Sequence, residues 1–333
     1  MKNVTILVPE SSVLQTIADS QNCLNRVNRF LTNSGKKPFF KVDLAGANRV
    51  IKLNNGNYSV HPDKLIGEIK KTDLVIIPAL YGNVSKAIVS NSKLIPWIID
   101  QYKNGAEVAS LCVGAFLLAS TGLLNGRKCS THWGFTDKLH EMFPEVNVQN
   151  GSIITEENGI YTSGGANSYW NLLLHLVEKF TDRETAIYIS KYFAIDINRS
   201  SQSSFAIFSG QKDHSDKAVR EAQEYIEKNI EEKMTVKELA DQVALGRRSL
   251  ERRFRRVTGN SILEYIQRVK IEVAKRNLET SSKNITEIMF NSGYTDTKAF
   301  RTTFRKITGL SPVEYRKKYN KIAISLNNTK PRL

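Results

Sequence analysis

The chain is 333 residues long, enough for two separate cores, and carries a formal charge of +15 from 48 Lys and Arg against 33 Asp and Glu. Its three cysteines (Cys23, Cys112, Cys129) are too few and too scattered for a disulfide framework or a zinc site, and the apolar run at 4–8 is too short for a signal peptide. No stretch approaches the ~18 apolar residues of a membrane-spanning helix, so a disulfide-rich scaffold and a helical membrane protein are excluded and a reduced, cytoplasmic chain is expected.

Up to residue 197, short β-branched runs alternate with helical patterns, the signature of a mostly parallel sheet with helices on both faces. Runs 4–8, 39–44, 74–77 and 108–111 read as buried strands; 14–31, 85–104, 114–121, 167–180 and 184–193 read as helices. The expected architecture is a flavodoxin-like α/β domain over 1–197. Within it, strand 108–111 runs straight into Cys112, Val113 and Gly114, which open a helix. A cysteine at such a turn is where an α/β enzyme presents a nucleophile, and a helix N-terminus lowers a thiol's pKa.

The polar stretch 198–215 reads as a linker. Beyond it no strand pattern remains and the charge concentrates: 27 Lys and Arg against 16 Asp and Glu lie from Lys212 onward. A basic, all-α domain over 216–320, followed by a tail at 321–333, suggests a polyanion partner. Inside it the chain repeats itself. Residues 254–265 (FRRVTGNSILEY) return as 304–315 (FRKITGLSPVEY), identical at seven of twelve positions.

Each copy reads as two helices, a tight turn and an exit. In the first, Thr235 and Glu238 form a capping box, residues 244–246 turn, and helix 247–257 buries Leu250, Phe254 and Val257. Gly259 ends it, and Ser261 with Glu264 caps a long helix. In the second, Asn284 and Glu287 open a helix, Gly293 turns, and Asp296 caps a helix burying Phe300, Phe304 and Ile307. Ser311 and Pro312 begin the last helix.

At 100° per residue, the faces opposite these stripes carry Arg248, Glu251, Arg252 and Arg255 in one copy and Lys298, Arg301, Thr302 and Arg305 in the other. A narrow cationic cylinder with forked donors is what entry into a DNA major groove requires. Arg grips guanine bidentately, and Glu251 can accept from a cytosine amino group. Arg247, Arg255, Arg256, Arg305 and Lys306 are assigned to phosphates. The bland alternative is a helical bundle with a solvated basic face.

Residues 216–319 closely resemble the AraC-type DNA-binding domain, above all in GYTDxxxFxxxFRKxxGxSPxxYR over 293–316. The resemblance implies two helix-turn-helix subdomains joined by the long helix 262–278, with recognition helices entering successive major grooves of double-stranded DNA. Its base-reading positions fall on Arg248, Glu251, Arg252, Thr297, Lys298, Arg301 and Thr302. Gly246 stands where that family usually has a Ser cap. Residues 106–133 (with SLCVGAF around Cys112, and THW at 131–133) and YTSGG at 161–165 resemble the PfpI type of the class I glutamine amidotransferase-like superfamily. The nearest likeness is its GlxA-like branch, in which such a domain is fused to an AraC-type tail.

This second resemblance implies a transcriptional regulator whose α/β domain forms a homodimer and senses a small-molecule effector, with RNA polymerase as a further candidate partner. No metal, cofactor or membrane partner is expected. An effector pocket at the strand ends would draw on Glu10, Tyr81, Cys112, Val113, His132, Trp133 and Gly164. Three departures bear on catalysis: Val113 stands where hydrolases commonly have His, Thr16 where related enzymes have an acid, and ALYG at 79–82 where a glycine pair is usual. Structural, pocket-lining, redox and nucleophilic roles for Cys112 stay open, with His132 the available base. The rival reading is a cysteine-dependent hydrolase or hydratase with a basic DNA-binding tail.

Overall fold

A computed structural model describes residues 1–212, 214–232 and 234–320, in two compact units that part after Gln202. The expected tail 321–333 lies outside the described residues.

In the first unit the main sheet runs, in spatial order, Ile154–Glu157, Ile160–Ser163, Glu107–Ser110, Leu74–Ile77, Lys2–Leu7, Phe40–Gly46 and Lys64–Leu65. All neighbours are parallel except the first two strands, which form a hairpin with Glu156 opposite Tyr161. The middle strands are buried on both faces, so their side chains sort by simple alternation. Val4, Ile6, Ile76 and Ala109 enter one core, while Leu7, Val75, Ile77 and Val108 enter the other. Helices Leu14–Asn33, Tyr169–Phe180 and Arg183–Tyr192 cover the first face. Val84–Ser90, Leu94–Lys103 and Ala115–Ala119 cover the second. This is the flavodoxin-like arrangement expected, and the parallel strands bring the loops after Leu7, Ile77, Ser110 and Ser163 to one edge.

The single helix expected over 85–104 is two. Pro96 would have clashed with the carbonyl one turn back in a continuous helix; the helix restarts at Leu94 and Pro96 falls in its first turn, where a missing N–H is harmless. Asn91 fills the break, its side chain exchanging two 2.8 Å bonds with the backbone of Glu10.

The second unit has no strand among its described residues. It contains helices Lys217–Lys228, Val236–Gln242, Arg247–Thr258, Ile262–Thr280, Ile285–Asn291, Thr297–Thr308 and Pro312–Tyr319. Two cores form, and the long helix serves both. Its first half gives Ile262, Tyr265, Ile266 and Val269 to one; its second half gives Ile271, Ala274 and Leu278 to the other.

The stretch 198–215 is not a free tether. Gln202 is buried in the first unit, and from Ser203 onward the chain rests on the helical one. Lys275 Nζ donates to Ala206 O at 2.6 Å, Phe208 N donates to Glu272 at 3.2 Å, and the Phe208 ring lies 5.2 Å from that of Tyr265. Serine-rich composition signals irregular backbone, but irregular backbone can still be fully partnered.

Candidate functional site

The two copies are built on one plan. Phe254 and Tyr265 meet edge to face at 5.2 Å and 82°; Phe304 and Tyr315 meet at 5.5 Å and 83°. Each tyrosine hydroxyl then reaches a glutamate on the helix behind it, Tyr265 to Glu227 at 2.9 Å and Tyr315 to Glu279 at 2.6 Å. Thr258 and Thr308 donate back to Phe254 O and Phe304 O at 2.8 Å. Gly259 and Gly309 end the two helices in the left-handed conformation, and four capping boxes, at Thr235, Ser261, Asn284 and Ser311, start the others. Apart from Arg255 and Arg305, the repeated residues are thus core and caps. Thr258 and Thr308 join the phenylalanines inside, whereas Val257 and Ile307, expected as the third buried position, are only half-buried.

The outward faces match only at Arg255 and Arg305 and otherwise differ. Arg248, Arg252, Arg255 and Arg256 are exposed on the first helix, and Thr297, Lys298, Arg301, Thr302, Arg305 and Lys306 on the second. Glu251 is half-buried and accepts from Arg247 Nε at 3.1 Å, so its carboxylate is already engaged. Arg253 is turned inward. Its guanidinium grips Asp216 through two bonds of 2.9 and 2.7 Å, while Asp216 also accepts from Val219 N to cap the helix before. Arg256 stands 3.8 Å from the same carboxylate. Nothing in the repeat pattern signals this lock, because its aspartate lies outside both copies.

The turns between helices differ. Ala244 adopts φ +53° in the first and Gly293 φ +75° in the second. The second turn is one residue longer and ends on Asp296, which accepts from Ala299 N at 2.6 Å; the first ends on Gly246, which makes no side-chain cap.

In the α/β unit, Cys112 sits at the expected turn with φ +53°. Its N–H donates to Ser163 Oγ at 3.1 Å and its carbonyl accepts from Thr131 Oγ1 at 3.0 Å. Gly114 permits the turn: a Cβ there would lie 2.5 Å from Pro78 O and 2.9 Å from Ile77 O. The helix expected to lower the thiol's pKa begins as a 3₁₀ turn and contains only Ala115–Ala119. Burial dominates and pushes the Cys112 thiol up, against the amides of Ala166 and Val113.

The other candidate pocket residues divide. Val113 and Gly164 are buried and His132 and Trp133 half-buried near the turn, the His132 ring lying where a Cβ on Gly165 would go. His132 Nδ1 accepts from Gly134 N at 3.0 Å, and burial pulls its pKa down, so the ring is neutral with Nδ1 occupied. Glu10 and Tyr81 reach the same sheet edge on loops joined by Tyr81 N to Ser11 O, yet their side chains are exposed. Thr16, at the acid's position, donates to Val13 O and accepts from Ala79 N. In 79–82, where a glycine pair is usual, the amides of Ala79 and Tyr81 are both spent on side-chain or backbone acceptors. No His, Cys, Asp and Glu cluster able to hold a metal, and no helix long and apolar enough to cross a membrane, occurs among the described residues.

Known proteins share both halves. A family model described as a helix-turn-helix domain matches residues 239–318, and one described as the DJ-1/PfpI family matches 33–179. The HTH-type transcriptional regulator GbdR of Pseudomonas aeruginosa is 24% identical over 95% of this chain and 84% of its own length. The HTH-type transcriptional regulator GlxA of Rhizobium meliloti is 24% identical over 64% of this chain and 66% of its own. A solved transcriptional-regulator structure from Vibrio parahaemolyticus, 23% identical, superimposes with a TM-score of 0.51 over 57% of this chain and 98% of that one; this likeness establishes fold alone.

Proposed function

We propose that this chain, an AraC-family transcriptional regulator that carries a DJ-1/PfpI domain, binds double-stranded DNA through two recognition helices laid in successive major grooves. Arg248 and Arg252, then Thr297, Lys298, Arg301 and Thr302, read base edges. Arg247, Arg255, Arg256, Arg305 and Lys306 hold phosphates. Glu251 reads a cytosine amino group only by exchanging Arg247 for the base. The observation that carries this reading is that two copies share their internal scaffold and differ on their exposed cationic faces.

The α/β unit is assigned effector sensing and homodimerisation rather than catalysis. A protonated thiol, a neutral His132 with its Nδ1 engaged, and no acid at Thr16 make a poor nucleophilic centre. An effector acts by favouring one arrangement of two DNA-binding tails over another.

Footprinting the full-length protein on genomic DNA tests the DNA assignment. Two protected blocks about 10 bp apart per monomer are expected. Arg252→Ala should cost about 1–3 kcal/mol and relax preference at one base pair. A uniform loss across all sequences, with only the salt dependence reduced, would defeat the base-reading role. Cys112→Ala should leave DNA affinity unchanged; loss of a hydrolase or hydratase activity in that variant would favour the enzyme reading.

A further inference from the structure

The long helix Ile262–Thr280 is gripped by two cores from opposite sides. At about 100° per residue, Ile262, Tyr265, Ile266 and Val269 of the first core centre about 160° from Ile271, Ala274 and Leu278 of the second. A helix packed only in this way leaves two flanks open, about which the halves could rock and carry their reading helices with them. Both flanks are bridged. Lys270 lies on one, about midway between the cores, and donates to Gly293 O of the second half at 2.8 Å. There the turn at Gly293 presses on Ile230 O of the first half, which a Cβ would approach to 2.2 Å.

The other flank carries Arg268, Glu272 and Lys275, and residues 204–212 cross it from the second half to the first. At the second half, Tyr319 Oη donates to Ser204 O at 3.0 Å and Lys318 Nζ to Ser204 Oγ at 3.2 Å. Over the flank, Ala206, Phe208 and Gly210 are half-buried while Ile207 and Ser209 are exposed, so alternate residues turn to the helix. Lys275 and Glu272 form a 2.7 Å ion pair exposed to only 4% and 8%. Such a pair needs its remaining protons and lone pairs met, and the crossing chain meets them: Lys275 Nζ donates to Ala206 O at 2.6 Å and Phe208 N to Glu272 at 3.2 Å. At the first half, Phe208 meets Tyr265 at 5.2 Å, Gln211 bonds Asn260 and Gln223 at 3.1 Å each, and Lys212 pairs with Glu227 at 2.6 Å.

We infer that residues 204–212 are a brace. With the Lys270–Gly293 contact on the opposite flank, they fix the spacing and phase of the reading helices Arg247–Thr258 and Thr297–Thr308, so that the protein selects the separation of its two base blocks as well as their sequence. Tyr319, Lys275 and Glu272 act through the brace and are positioning residues for that reading. The consequence on DNA rests on the two-helix reading proposed above; the brace itself rests on packing within the helical unit.

Slack in the brace tests it. Three glycines inserted between Ser209 and Gly210 keep every anchoring residue but add up to about 10 Å of chain. In the full-length protein, spin labels at Arg248→Cys and Lys298→Cys report the separation of the reading helices; both sites are exposed and the native cysteines are buried. Labelled chains are diluted into unlabelled protein so that each measured pair lies within one chain. The natural brace should give one narrow distance, and the insertion should broaden it by about 5 Å, half the added slack. Tyr319→Phe with Lys318→Met, which removes both bonds to Ser204 and leaves the ring against Tyr315, should broaden it in the same sense. Where the insertion lowers the melting temperature of the helical unit by more than about 10 °C, the second variant decides alone. Selection from a random duplex DNA library reads the consequence. The natural sequence should recover two base blocks at one separation, and the slack variant the same blocks at separations spread over about one to three base pairs of ~3.4 Å each. Distances as narrow in the variants as in the natural chain, a broad distance in the natural chain, or a slack variant that recovers the natural separation alone would each overturn the brace. A natural chain that recovers one block only would defeat the two-helix reading, and the distance measurement would still decide the brace.

Discussion

Gly293→Ala should unseat the second helix-turn-helix subdomain, and its cost can be built from one backbone angle and two contacts. Alanine at φ +75° pays about 1–2 kcal/mol for the left-handed conformation. Its Cβ would stand 2.2 Å from Ile230 O, a main-chain atom that cannot rotate away, adding about 1–3 kcal/mol of overpacking. It would also lie 2.7 Å from Lys270 Nζ, which donates to Gly293 O at 2.8 Å; losing such a charged bond adds about 1.5–3 kcal/mol. Allowing for partial relaxation, a loss of about 3–6 kcal/mol follows. Hydrogen exchange of the full chain reads it locally: amides in Ile285–Asn291 and Thr297–Thr308 should exchange at least about 100-fold faster, with the α/β strands unaffected. The equivalent first turn gives the opposite sign. Ala244 already takes φ +53°, so Ala244→Gly should stabilise slightly, by less than about 1 kcal/mol once the added freedom of the unfolded chain is counted. Protection in the second subdomain that changes by less than about fivefold in Gly293→Ala would refute the steric argument.

The α/β unit offers a parallel case: Gly114→Ala places a Cβ against two carbonyl oxygens at 2.5 and 2.9 Å and should cost about 3 kcal/mol or more in urea unfolding, and a soluble variant of undiminished midpoint would contradict it. Arg253 holds the Asp216 carboxyl below the usual carboxylate range despite its burial, so that contribution is whole above the unfolded-state value near ~4 and fades as pH falls through the lower folded one. Asp216→Asn should therefore flatten the acid side of the helical unit's melting profile, and an unchanged profile would mean the pair contributes nothing. Cys112, protonated and buried, should alkylate with iodoacetamide at least about tenfold slower than a free thiol at about pH 8; rapid labelling would show that the turn opens or that the thiolate is stabilised.

The legible parts of this chain are those written in local periodicity. Buried strands such as 74–77, the capping boxes and the phenylalanine stripes all follow from residues within one or two turns of each other, and they stand where expected. What escaped is non-local. Asp216 meets Arg253 across 37 positions, and Gln202 meets Thr131 across 71. Glutamine and aspartate in polar surroundings carry no periodic signal, so their burial is decided by which backbone groups happen to face them. Arg253 belongs to no stripe or outer face in the sequence pattern, and its pairing with Asp216 at the start of Lys217–Lys228 is what turns it inward. At Cys112 the same holds: a helix N-terminus is visible in sequence, but the desolvation that outweighs it is not.

These non-local contacts make the two halves of the repeat mechanically unequal. In the second copy, helix Thr297–Thr308 is seated by its own cap and turn, with an aspartate cap at 2.6 Å and a glycine turn pressed against Ile230 O. The first has an uncapped start at Gly246 and a strained Ala244, and it is held from the side by Asp216. The segment before Asp216 is itself anchored on the second half, where Tyr319 Oη donates to Ser204 O at 3.0 Å and Lys275 Nζ to Ala206 O at 2.6 Å, so Asp216 ties the first half to a chain already held by the second. That asymmetry follows from the caps and the lock, and it needs no difference between the two cores, whose Phe–Tyr geometry is the same to within 0.3 Å and 1° (5.2 against 5.5 Å, 82° against 83°).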